Sequence, residues 1–256
     1  MTEPHLLYDV ENNVARLTIN REAQRNAISL EAIDLFPKCL DEAETDEKVR
    51  VILITGSGDK AFCAGADLGG AVDGKIQQGF KSYAKLITRL SSYPKTVVAR
   101  INGACMAGGM GLMLACDIVI ARNDVTFGTP EVNVGLWPMM IGALIYRNVL
   151  RKKAMEMILL GERLTADQAL EMGLITRAVP ADELDGEIDQ ILKSLAAKSP
   201  IGMKIGKEAF YAMADMPFEE AVDFLSGKIA EVAATEDAIE GITAFIEKRK
   251  PQFKGK

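Results

Sequence analysis

A single histidine, His5, occurs among the 256 residues. It lies in an N-terminal segment expected to be exposed. A Ser-His or Cys-His nucleophile pair therefore lacks support, and acid–base chemistry falls to carboxylates, Lys, Tyr or Cys. Cysteine is scarce: Cys39, Cys63, Cys105 and Cys116 form no C-x-x-C pair and no metal-ligand spacing. Their apolar and glycine-rich neighbours predict buried free thiols and a reducing, cytoplasmic compartment. Long hydrophobic runs are missing. None approaches the roughly 18 residues of a membrane span, and residues 1–10 contain no apolar leader stretch. Positive charge is not in excess, because 30 Lys and Arg stand against 36 Asp and Glu, a net −6. An acidic chain without an aromatic-basic stripe excludes a general attraction to nucleic acid or anionic membrane. A local basic site for a phosphorylated small molecule remains compatible with it.

What is present is apolar residue content of 48%, enough for one substantial core with a helical appendage. Residues 15–20 (ARLTIN) alternate as a strand. Ser29 is placed to cap a helix towards Glu44, with a kink or early end expected at Pro37. Residues 51–55 (VILIT) and 97–101 (VVARI) are β-branched runs typical of buried strands. A helix is expected over 75–92, and further strands over 118–121 and 126–128. The pattern of strand, glycine-rich loop and helix argues an α/β fold with function in the loops. Thr165 and Gln168 fit a capping box, Gly173 ends that helix, and a short strand is expected over 174–179. Helices near 182–198, 200–213, 217–232 and 235–248 follow. The simplest division is a core over 1–195 and a helical module over 196–256.

Two loops carry the chemistry. AFCAGADL (61–68) follows the VILIT strand closely, and NGACMAGGMG (102–111) directly follows VVARI. Small side chains where a strand hands over to a helix let a ligand touch the backbone, and a helix start leaves N–H groups unpaired. Two such loops side by side could aim two donors at one oxygen, an oxyanion hole. Taken alone, glycine clusters more often mean close helix–strand packing. No G-x-G-x-x-G follows a strand. The G-x-x-x-x-G-K at 69–75 continues with Ile76 where a phosphate-binding loop needs Ser or Thr.

AFCAGADL, NGACMAGGMGLMLACD and FGTPEVNVGL, in this order and at these separations, resemble three signatures of the crotonase (enoyl-CoA hydratase/isomerase) superfamily. FIEKRKPQFK resembles its C-terminus, and the likeness runs from about Asn20 to the end. The resemblance implies a crotonase-like spiral of ββα units with a C-terminal helical trimerisation module, assembling as a homotrimer or a dimer of trimers. It implies an acyl-CoA thioester substrate, coenzyme A being part of that substrate, with no separate cofactor and no metal. By match to the motifs, the oxyanion donors would be the N–H groups of Ala66 and Gly108. Ala64, Asp67 and Leu68 would border the pantetheine path. Arg25 and Lys248 would approach the CoA phosphates, and Phe245 the acyl pocket.

The family's hydratases resemble one another in carrying two glutamates. Glu131, in Pro130-Glu131, matches the second, but Gly111 stands at the first. A water attacking C3 and a proton delivered at C2 suit two carboxylates; moving a proton between two carbons of an enolate needs one. The one-glutamate pattern resembles Δ3,Δ2-enoyl-CoA isomerases. Expected first is therefore a Δ3-to-Δ2 isomerase with Glu131 as base, its pKa raised by an apolar pocket. The alternatives are a 2-enoyl-CoA hydratase and a non-catalytic acyl-CoA-binding relative. Trp137 and Met139 also stand where the family has small residues, and are expected either to wall the acyl pocket or to pack in the core.

Overall fold

The computed structural model describes residues 3–67 and 76–256. Strand β1 (Leu6–Glu11) pairs antiparallel with β2 (Val14–Ile19). Asn12 and Asn13 make the two-residue turn, both at positive φ (51° and 67°), the geometry that suits a tight hairpin. Sequence reading leaves β1 unassigned because only Leu6 of its six residues is buried. His5 precedes it. It is half-buried rather than exposed, because its Nδ1 lies 2.8 Å from Ser29 Oγ, and Ser29 caps α1 (Leu30–Thr45).

Helix α1 runs through Pro37 without ending there. Proline removes one backbone donor, but Ala32, Ile33, Phe36, Leu40 and Ala43 bury a continuous stripe that holds the helix together. The Pro37 carbonyl also accepts from Arg89 of the next helix.

Three strand–strand–helix units follow. The first comprises β3 (Val51–Gly56), β4 (Ala61–Cys63) and α2 (Ile76–Ser91). The second is β5 (Thr96–Ile101), β6 (Ala104–Met106) and α3 (Gly108–Leu114). The third is β7 (Ile118–Arg122), β8 (Thr126–Gly128), a 3-10 turn (Pro130–Val134) and α4 (Met139–Asn148). The first strand of each unit joins a six-stranded sheet, order β1-β2-β3-β5-β7-β10, with β10 at Arg177–Val179. The second strand of each joins a four-stranded sheet, order β4-β6-β8-β9, with β9 at Leu164–Thr165. This is the spiral of ββα units that the motifs imply. All pairings are parallel except β1–β2 and β8–β9.

Strand β3 is buried throughout because both faces are covered. Ile52 and Ile54 enter the main core with Phe36, Leu86 and Met110. Val51 and Leu53 face the opposite way, with Val98 and Ile120, onto Leu184, Ile188, Ile191 and Leu192 of α7 (Leu184–Ala196). That alternation is the period of two expected of a strand. Helices α5 (Arg151–Leu160) and α6 (Ala166–Glu171) lie between, and α6 has the Thr165–Gln168 capping box. The strand expected over 174–179 is confined to β10, since Leu174 and Ile175 are buried in the core instead.

Helices α8 (Pro200–Met213), α9 (Phe218–Ala233) and α10 (Glu236–Ile246) pack on one another. They tie back to the core through the Lys207–Asp117 ion pair at 2.6 Å and through Arg50, which donates to the carbonyl of Phe253. All four cysteines are free. Cys63 and Cys105 are buried, whereas Cys39 and Cys116 are half-buried, because α1 and the end of α3 leave them at the core's margin. Among the described residues no helix is long and apolar enough to cross a membrane.

Candidate active site at the ends of three parallel strands

Strands β4, β6 and β8 lie side by side and parallel, with Ala61 beside Ala104 and Met106 beside Gly128. Their C-terminal ends therefore open on one side of the sheet. Ala66 follows β4 by three residues, Gly108 follows β6 by two, and Glu131 follows β8 by three. Loops beyond the carboxyl ends of parallel strands are where α/β folds bind ligands.

The backbone aims the first amide. Ile28 bridges Ala66, donating to Gly65 O at 2.8 Å and accepting from Asp67 N–H at 2.9 Å. Successive N–H groups of an extended segment point to opposite sides, so the Ala66 N–H turns away from Ile28. It turns towards Gly108: a β-carbon built on Gly108 would lie 3.6 Å from Ala66 N, and one on Gly65 would lie 3.6 Å from Gly108 N. Neither N–H has a backbone acceptor among the described residues. Two such donors can share one oxygen that gains negative charge.

This approach needs glycine and tolerates strain. Gly65 has φ +109° and packs so close that a β-carbon there would be 2.9 Å from Ala107 Cβ. Ala107 itself has φ 48° and ψ −123°, a conformation that costs a side-chain-bearing residue about 1–3 kcal/mol and recurs at functional sites. Its N–H donates to Gly128 O at 2.9 Å, which locks the second loop to β8. Buried Asn26 braces the first loop, donating to the carbonyls of Ser57 and Ala61. Arg21 donates to Ala27 O and pairs with Asp67 at 2.8 Å, fixing the residue after Ala66.

Glu131, in the 3-10 turn after β8, lies close enough to Tyr83 for its charge to act on that phenol. It is half-buried, and its Oε2 is buried without a partner among the described residues. Burial pushes its pKa up, opposed only by a hydrogen bond from its own backbone. Gly111 lies one turn along α3 from Gly108. A β-carbon there would overlap Tyr83 Oη and Ile141 Cγ2. The Tyr83 hydroxyl donates to Gly108 O. Burial is the first cause that pushes this phenol well above its ordinary value, and Cys63, Cys105 and the Glu131 carboxylate add to it.

A cleft of about 340 Å³ leads off between the loops, lined by Arg25, Lys60, Ala61, Ala64, Ala104, Met106 and Arg163. Arg25 and Ala64 thus meet as the sequence suggests; Lys60 and Arg163 join them from elsewhere in the chain. Leu68 lies outside the described residues. Trp137 and Met139 are exposed, Met139 by 74%, and the residue of that segment that reaches Gly111 is Ile141. Phe245, 84% exposed, and Lys248 sit at the end of α10, which packs on α8 and α9. Among the described residues no group of three or more His, Cys, Asp or Glu is placed to hold a metal.

The family model described as enoyl-CoA hydratase/isomerase matches residues 9–256. The short-chain-enoyl-CoA hydratase of Clostridium acetobutylicum is 32% identical over 250 residues, covering 96% of each chain. A protein named "Probable enoyl-CoA hydratase" from Bacillus subtilis is 37% identical, covering 96% of this chain and 97% of its own. Among solved structures, an enoyl-CoA hydratase of Mycobacterium smegmatis superposes with a TM-score of 0.93 at 34% identity, covering 98% of this chain and 99% of its own.

Proposed function

The chain belongs to the enoyl-CoA hydratase/isomerase family of acyl-CoA enzymes, and from that premise we propose that it moves a proton within a 3-enoyl-CoA, giving the 2-enoyl thioester, with Glu131 as the single base. The thioester oxygen sits between the N–H groups of Ala66 and Gly108. The Glu131 carboxylate takes a proton from C2, and the C–H electron pair spreads over the dienolate onto the thioester oxygen. The same proton is then given to C4, the charge leaves the oxygen, and the double bond settles between C2 and C3. Nothing is gained or lost overall, and no cofactor is required. The raised pKa of Glu131 suits both halves, because a carboxyl that holds its proton more readily is the better base near neutrality.

One observation carries this reading. Among the described residues, a carboxylate oxygen without a partner and two amides without a backbone acceptor stand past the ends of neighbouring strands, while position 111 offers no second carboxylate. Arg25, Lys60 and Arg163 around the cleft supply charge for the CoA phosphates. The exposed apolar side chains Ile229, Ile239, Ile242, Phe245 and Ile246 on α9 and α10 support assembly into trimers, which analytical ultracentrifugation tests.

The names of the relatives favour a second reading, hydration of a 2-enoyl-CoA. Purified protein is offered 3-enoyl- and 2-enoyl-CoA of equal chain length. Isomerisation that disappears in Glu131→Gln supports the first reading. Faster hydration of the 2-enoyl thioester supports the second, and full isomerase activity in Glu131→Gln removes Glu131 from its role.

A further inference from the structure

We propose that Tyr83 is a specificity-determining residue: its hydroxyl closes the α3 side of the reactive carbons to water, so that the 2-enoyl thioester formed by proton transfer leaves without water adding at C3. The inference deepens the proton-transfer reading and rests on it.

Residues 108 and 111 share one face of α3, three positions apart. Whatever stands at 111 therefore stands beside the carbons that follow a carbonyl held at 108. In this chain that place belongs to another helix. Tyr83 comes from α2, is buried, and puts its hydroxyl where a β-carbon of residue 111 would go, with Ile141 filling the other side. The hydroxyl is committed, since it donates to Gly108 O and so also steadies the peptide next to the amide donor. Burial keeps the phenol neutral, which makes it a poor base for activating water. Gly111 and Tyr83 thus act as one unit, a missing side chain and the ring that fills its room. A plug of this kind does what closure of an active site does in general: it protects a reactive intermediate from solvent.

The test reads product partition. Wild type, Tyr83→Phe and Tyr83→Ala are each checked for folding by circular dichroism and given 3-enoyl-CoA. The 2-enoyl and 3-hydroxyacyl thioesters are then quantified over time. Removing the hydroxyl in Tyr83→Phe raises the hydrated share about threefold, and emptying the slot in Tyr83→Ala raises it about tenfold. A merely structural role would lower total turnover and leave the partition alone. Tyr83→Phe keeps the ring and decides the matter where Tyr83→Ala fails to fold. Wild-type isomerisation with a hydrated share that stays within about twofold in every folded variant overturns this inference alone. Wild-type protein that hydrates faster than it isomerises, or does neither, overturns the reading beneath it as well.

Discussion

The ends of β4 and β6 present backbone to a ligand, whereas the end of β8 and the second turn of α3 present side chains. The two amides at Ala66 and Gly108 depend on strand register, on Gly65 at φ +109° and on the strained Ala107. No side chain at 66 or 108 takes part. The facing wall depends on Glu131, Tyr83, Ile141 and the bare Gly111. A pair of amides holding a thioester oxygen serves any reaction that passes through an enolate. The side-chain wall decides which reaction follows. In the proposed reaction one region sets the class of substrate and the other sets the outcome.

The comparison breaks most visibly at the wall. Glu131→Gln is expected to lower isomerase turnover by about 10²–10⁴-fold, while calorimetry shows binding of a saturated acyl-CoA unchanged. Joint loss of binding and turnover would merge the two regions. Next in size is the hole. Gly108 is the first residue of α3, where proline is tolerated, so Gly108→Pro removes the N–H with the helix kept. Turnover falls roughly 10²–10³-fold, in isomerisation and in any residual hydration alike. A variant that loses one activity and keeps the other would deny that the amides serve both.

The cleft comes third. Arg163→Ala and Lys60→Ala each raise KM about tenfold with kcat little changed, as the loss of one charged contact to a phosphate does. The smallest effect is on stability. Burial raises the folded-state pKa of Glu131, so the folded protein binds more protons than the unfolded chain between the two values. Stability from this group is present at low pH and is lost as pH rises through the folded value. Glu131→Gln therefore melts higher than wild type at neutral pH, and the gap closes towards about pH 4. Activity runs the other way, falling as acid protonates the base.

Strands β2, β3, β5 and β7 are legible in the residues because alternation and β-branched runs are local signals, whereas β1 is too exposed to show and the short β4 and β6 lie inside the stretches that read as glycine-rich loops. The C-terminal helices were readable for the same reason, since their caps Ser199 and Thr235 and their apolar stripes are local. Pro37 misleads because its cost is local while the stripe that outweighs it is tertiary. Ala66, Gly108 and Glu131 stand out only through motifs, and the structure puts each a few residues past a strand end. Tyr83 gave no such signal. It lies in an amphipathic helix 25 residues before Gly108, and only the packing of α2 on α3 brings it to the site. Lys60 and Arg163 are about 100 residues apart and meet only across the cleft. Trp137 and Met139 stand out in the sequence by their size, yet both are exposed and the smaller Ile141 reaches Gly111.

The central claim is tested most directly by a crystal structure of the protein with a saturated acyl-CoA, which binds without reacting. The account predicts the thioester oxygen about 2.7–3.1 Å from both the Ala66 and Gly108 nitrogens, with Glu131 facing C2. A thioester oxygen held elsewhere, or either amide donating to one of the protein's own carbonyls in the complex, would contradict it.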